Sequence, residues 1–351
     1  MGTRTVITGV LILAVVATLA SEAPAQAPTR PGRTVQWKFT LDFIVQGPQA
    51  PFILAAEKGY YAQEGLQVTI DRGFGSADAV TKIASGAYHL GYADINSMIE
   101  FNARNPGRDL VAIAIVLNEP PFSIITLRRE GITRPIELYG KRLGAPAGDA
   151  PRRLWPLFAR AVGMDPRAVE WVTMDVPLRE PMLIRGEVNA ISGFYFTSFI
   201  NLKAARVDPS DIVAFMYSEQ GLPLYGNAIM APPALLQSEP EAVRGFLRAF
   251  VRALKDTIAN PQEAVAAVRR RDPLLREDVE LERLLLALRL NMLTRDVRAH
   301  GFGAARGDRL ARSIDLLAEA FAFPRKPVWQ QVFTDRFLPP RAERMLPAAR
   351  P

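Results

Sequence analysis

Gln49-Ala50-Pro51-Phe52-Ile53-Leu54-Ala55-Ala56-Glu57-Lys58-Gly59-Tyr60-Tyr61-Ala62-Gln63-Glu64-Gly65-Leu66-Gln67-Val68-Thr69-Ile70 reads as a helix, a tight turn and a strand. Ala55, Ala56, Gly59 and Tyr60 recur at helical spacing, Gly65 suits a left-handed C-terminal position, and Val68 and Ile70 alternate as strand residues do. This is a helix-to-strand step of an α/β sheet. On its N-terminal side, 35–44 reads as a first strand. On its C-terminal side the alternation continues, with 77–87 helical, 88–93 extended, 97–103 helical and 110–117 extended.

A β-rich run at 123–127 ends at Arg128-Arg129-Glu130-Gly131, where a chain leaving a first lobe would cross to a second. The cycle then repeats: strand 142–145, helix 152–162, strand 169–174, helix 179–185, strand 190–192, with a return crossing near 225–231. From Pro240 the chain is helical, and Val243, Phe246, Leu247, Phe250, Val251 and Leu254 form one apolar stripe. Alternation of this kind predicts mostly parallel sheets with helices on both faces. The expected domains are a signal peptide at 1–27, a first lobe formed by 34–126 with 232–351, and a second lobe at 127–231. The late helices are expected to pack on the first lobe.

The 49–70 segment, with Leu41-Asp42-Phe43 before it and Gly75-Ser76-Ala77-Asp78 after it, resembles the solute-binding proteins for thiamine-pyrimidine precursors, alkanesulfonates and nitrate. That family also includes riboflavin-type receptors and the eukaryotic thiamine-pyrimidine synthase. The resemblance runs from about Val35 to about Pro261. It implies a periplasmic-binding-protein type II-like α/β fold, two doubly wound lobes joined by a hinge, and a monomeric receptor that hands a small solute to the membrane permease of an ABC importer.

Composition narrows the classes. A chain of 351 residues, 49% of them hydrophobic, can fill two lobes of ordinary size. Arg4, the apolar run 6–20 and the small residues Ala23, Ala25 and Ala27 read as an export signal cleaved after Ala25 or Ala27, which puts the mature chain in the periplasm. Without cysteine there is neither a disulfide nor thiolate chemistry. The net charge of +7 comes from scattered arginines, with no basic stripe interleaved with aromatics, which argues against nucleic acid as a partner. His89 and His300 stand alone, without a metal-ligand pattern. No metal, cofactor or catalytic group is expected.

Ligands of doubly wound sheets sit beyond the carboxyl ends of the strands. The first candidate loop holds Asp42, Phe43, Gln46 and Gln49. Pyrimidine-binding relatives commonly carry Trp and His where Phe43 and Gln49 stand, but Phe43 can still stack on a ring and Gln49 can still hydrogen-bond. Gly75 and Ser76 open the second helix, with Ser76 a candidate N-cap and Gly75 giving a ligand access to backbone N–H groups. Tyr92 and Asp94 end the next strand, Asp94 having helix capping as its alternative role. Glu119 follows the strand after that. In the second lobe Asp149 reads as an N-cap and Phe194 as core, whereas Tyr195, Tyr225 and Asn227 near the hinge are ligand candidates.

A planar heteroaromatic such as a pyrimidine precursor leads as the solute, with Phe43, Tyr92, Tyr195 and Tyr225 for stacking and Asp42, Glu119 and Asn227 for its polar edges. A sulfonate or other small anion is the alternative, suggested by Ser76 at a helix start and by the arginine content. The family's synthase chemistry is the third reading. It needs a lysine and a histidine where the resemblance places Ala93 and Ser97, and a cysteine-rich motif near 224–227, where this chain has none.

Overall fold

The computed structural model describes residues 34–347 and the first two residues of the chain. The export segment falls at 3–33, outside the described residues. Two five-stranded sheets organise the rest, in the orders β2-β1-β3-β10-β4 and β7-β6-β8-β5-β9. The first contains β1 (Val35–Thr40), β2 (Leu66–Asp71), β3 (Leu90–Asp94), β4 (Val111–Ile115) and β10 (Asn227–Ala231). The second contains β5 (Phe122–Leu127), β6 (Arg142–Ala145), β7 (Glu170–Thr173), β8 (Ala190–Phe194) and β9 (Ile212–Met216).

Each sheet is mixed. Strands β1, β2 and β3 run parallel and β10 enters antiparallel between β3 and β4. In the second sheet β6 is parallel to β7 and β8, while β5 is antiparallel to β8 and β9. The 123–127 run, expected to close the first lobe, therefore belongs to the second sheet. The first crossing precedes Phe122, and the return crossing is complete before Asn227.

The alternation that predicted these elements is visible as burial. In β1, Trp37 and Phe39 are buried while Gln36 and Lys38 are exposed. The Pro240–Ala259 helix buries the whole predicted stripe, and Phe246 packs between Phe39, at 5.3 Å, and Tyr61, at 5.0 Å between ring centres. Each such side chain contributes roughly 1.5–3 kcal/mol through burial. The expected helix 152–162 is two short ones, Ala150–Arg153 and Trp155–Ala161, broken at Leu154 just before Pro156.

The late helices do more than cover the first sheet. Those at Pro240–Ala259 and Pro261–Arg271 pack on the Ala50–Glu57 helix, as expected. The Glu277–Ala287 helix, however, also packs on Tyr195–Ala204 of the second half, and Gly307–Phe321 packs on both Ile95–Arg104 and Trp155–Ala161. Both therefore span the two halves.

Candidate functional site

The carboxyl ends of β1 and β2 face those of β6, β7 and β8 across a cavity of about 20 Å³, room for about one water molecule. Asp42, Phe43, Gly75 and Ser76 line one side; Asp149, Ala150, Arg179, Phe194 and Thr197 line the other. A groove of about 660 Å³ shares Phe43 with it, walled by Phe43, Ile44 and Val45 against Val176, Pro177 and Pro181 and lined also by Glu180, Arg72 and Arg271. Phe43 belongs to both spaces and stands between them.

The two halves meet in backbone contact. Gly75 has φ +124°, and a Cβ there would fall 2.5 Å from the carbonyl oxygen of Gly148. Only glycine permits both the conformation and the approach. Gly75 consequently takes the cap position, and the helix runs Ser76–Ala84. This corrects the expectation of Ser76 as N-cap: its Oγ instead accepts the Asp94 backbone N–H at 3.1 Å, and Ser76 borders the cavity. A second bridge joins Gln46, whose Oε1 accepts a hydrogen bond from Thr197 Oγ1 at 3.0 Å.

On the first wall Asp42 is buried, and Asn227 Nδ2 donates to its Oδ2 at 2.7 Å while Gln49 Nε2 lies 3.5 Å from Oδ1. Among the described residues no cation pairs with it. Burial pushes its carboxyl up to about 7, the Asn227 bond only partly offsetting that cost. Beside it, Gln49 Oε1 and Asn227 Oδ1 are buried acceptors with no partner among the described residues.

The second wall is built on Arg179, 2% exposed. Its Nε and Nη2 donate to Glu180 Oε1 at 3.0 and 2.8 Å, and Nη1 lies 3.6 Å from Asp149 Oδ1. Burial works against the guanidinium charge, but Glu180 and Asp149 outweigh it and hold the pKa above its ordinary value. Asp149 accepts Ser192 Oγ–H at 2.6 Å and caps the Ala150–Arg153 helix through Arg152 N–H. Burial raises its pKa, against the pull of Arg179. The guanidinium carbon lies 6.0 Å from the centre of the Phe43 ring, across the cavity.

The structure thus gathers Asp42, Phe43, Gln46, Gln49, Gly75, Ser76 and Asn227 in or against one wall. The other candidates do not line the cavity. Tyr92 is buried beneath that wall, 5.2 Å from the Phe52 ring and with its hydroxyl close to Asp42 and Asn227, and burial holds its pKa above the ordinary tyrosine value. Asp94 caps the Ile95–Arg104 helix, accepting the Asn96 and Ser97 N–H groups, and burial pushes its carboxyl up to about 6. Glu119 pairs with Arg309 at 3.3 Å, and Tyr195 stacks on Phe199 at 5.0 Å. Tyr225 lies under the Arg309 guanidinium at 4.1 Å and accepts the Arg306 N–H. Arg179, Phe194 and Thr197 complete the site without having been predicted. The available signal for Arg179 was its place at the helix start that follows a second-cycle strand, the position Ser76 occupies in the first cycle.

A family model described as NMT1/THI5 like matches residues 47–264. The riboflavin-binding protein RibY of Chloroflexus aurantiacus is 24% identical over 97% of this chain and 99% of its own length. A 4-amino-5-hydroxymethyl-2-methylpyrimidine phosphate synthase of Legionella pneumophila is 23% identical over 85% of this chain and 91% of its own. Among solved structures, the alkanesulfonate-binding protein SsuA of Xanthomonas axonopodis pv. citri, bound to MOPS, is similar in fold, with a TM-score of 0.68 at 15% identity, covering 86% of this chain and all of that one.

Proposed function

The chain belongs to the NMT1/THI5-like family, and on that premise we propose that it is an extracytoplasmic solute receptor whose two halves close on a flat nitrogen heterocycle of the pyrimidine-precursor class. The observation that carries this reading is the first wall: a buried carboxylate whose partners are amides alone, with two unpartnered acceptor oxygens beside it and an aromatic ring next to it. Such a surface accepts hydrogen bonds and offers a π face, which suits the N–H groups of an amino-heterocycle. Both relatives above are named for compounds that contain a flat nitrogen heterocycle.

Closure follows from differential contact. A solute held by Asp42 and Phe43 and also touched by Arg179 and Thr197 gains its last contacts only when the halves meet, and so stabilises the closed state by that difference. The closed form is what a permease of an ABC importer would read. A monomer in the periplasm fits this role. Synthase chemistry finds no support at Ala93, whose methyl group lies in the core and cannot form an imine. The anion alternative is opposed by the cation-free Asp42 carboxyl on the first wall, since Arg179, the cation that lines the cavity, is already matched by Glu180 and Asp149.

The direction of proton exchange tests the reading. A ligand that donates to Asp42 favours the ionised carboxylate and drives protons off near pH 7, whereas an anion raises the same pKa and takes protons up. Calorimetry of mature protein with 4-amino-5-hydroxymethyl-2-methylpyrimidine, in buffers of different ionisation enthalpy, should show release. Uptake, or binding confined to sulfonates, overturns the assignment.

A further inference from the structure

The Glu277–Ala287 helix lies outside the cavity yet is fastened to both of its walls. Glu280 and Arg283 are 3% and 2% exposed and pair at 3.0 Å. Glu280 Oε2 also accepts the Gly47 N–H at 2.7 Å, from the loop that carries Gln46 and Gln49 on the first wall. Arg283 reaches the second half: Nη1 donates to the carbonyls of Thr197 at 2.9 Å and Phe196 at 3.2 Å, and Nη2 to Asn201 Oδ1 at 2.9 Å. A Cβ on residue 47 would fall 2.2 Å from the Glu280 carbonyl oxygen, so loop and helix touch backbone to backbone. At its far end the helix runs into a π-turn, Leu288–Met292, an element that recurs at functional sites. From there Asn291 O accepts the Glu119 N–H and Asn291 Nδ2 donates to Glu119 O, both at 3.1 Å, on the connection between the sheets.

One helix therefore holds the Gln46 loop, the Thr197 turn and a crossing segment together, through a charge pair that contacts neither cavity nor groove. We propose that Glu280 and Arg283 are positioning residues that set the separation of the two cavity walls, and with it the size of solute that the closed halves accept. The fork of guanidinium donors fits this task, because it satisfies the carboxylate and three acceptors of the other half in one fixed geometry. The word "solute" rests on the receptor reading; the wall separation does not, and it is measured without ligand.

Since the chain has no cysteine, T81C and L178C place one spin label on each half, at an exposed position of the Ser76–Ala84 helix and at exposed Leu178. Electron–electron distance measurements on this labelled protein should give one narrow distribution. Adding E280M and R283M removes both charges together, which avoids stranding either one, and should move the distribution to longer distances and broaden it. R283K, which keeps the charge but loses donors, should fall between. A folded double variant with an unchanged distribution overturns the proposal. Should the double variant fail to fold, R283K decides: a distribution identical to that of the unmodified pair overturns it equally. A chain that binds no heterocycle but shows these shifts would leave the wall-spacing role standing and remove only the receptor reading.

Discussion

The two walls of the cavity each contain a buried carboxylate, and they treat it differently. Asp149 faces an arginine and a serine hydroxyl, so its charge is matched within the protein. Asp42 faces only amides, which orient it without neutralising it, and its carboxyl sits near 7. A matched carboxylate is structure; an unmatched one is binding capacity held in reserve, at a cost to the fold. The first wall is therefore read as the one that recognises, and the second as the one that closes.

The strongest way to break this contrast is R179M. It would leave Glu180 and Asp149 buried without their cation, and should cost about 3–5 kcal/mol in urea unfolding. A loss below about 1 kcal/mol would mean that the second wall is not charge-matched in the sense argued. Next comes D42N, which should have the opposite sign. A carboxyl held near pH 7 when folded and near 4 when unfolded keeps a proton that the unfolded chain releases, so stability falls as pH rises from about 4 to about 7. The ionised group costs up to about 4 kcal/mol above that window. D42N should thus stabilise the protein by about 2 kcal/mol at pH 8, flatten the stability profile between pH 4 and 7, and show no gain at pH 4. Parallel profiles for the two proteins would remove the case for Asp42 as an unspent charge.

Smaller effects sharpen the same division. F43A should weaken binding of an aromatic solute by about 1 kcal/mol or more, while Y195A, stacked on Phe199 away from the cavity, should leave it unchanged. Titrations giving equal losses would return Tyr195 to the site. T197V removes the Gln46 bond between the walls and leaves a buried amide oxygen without its donor, so it should cost about 1 kcal/mol in urea unfolding and lower the affinity for solute as well.

Much of the first wall was legible because a short loop after a strand carries its chemistry in sequence order: Asp42, Phe43, Gln46 and Gln49 lie within eight positions, and Gly75-Ser76 announces a helix start. The second wall was not, since Arg179 at the head of a helix has the pattern of a solvated charge until β8 and the capping Asp149 are folded over it. Tyr92, near Asp42 but outside the cavity lining, was misread for another reason. Every residue of β3 is buried, so the alternation that tells inward from outward in a half-exposed strand is silent there. The assignment of the 123–127 run to the first lobe has a similar origin: a run of buried residues is consistent with either sheet, and only pairing with residues 190–194 and 212–216 decides it.

The position of β10 has a consequence for how the molecule is made. It is the last strand of the chain, yet it lies between β3 and β4, both complete more than a hundred residues earlier. A polypeptide that emerges N-terminus first must hold those two strands apart, with their edges unpaired, while the whole second sheet is synthesised. Pairings of such long sequence separation form slowly, and open strand edges aggregate. Topology thus favours one order of assembly: the second sheet, whose strands are contiguous in sequence, can close alone, and the return of the chain at β10 is the event that completes the first sheet.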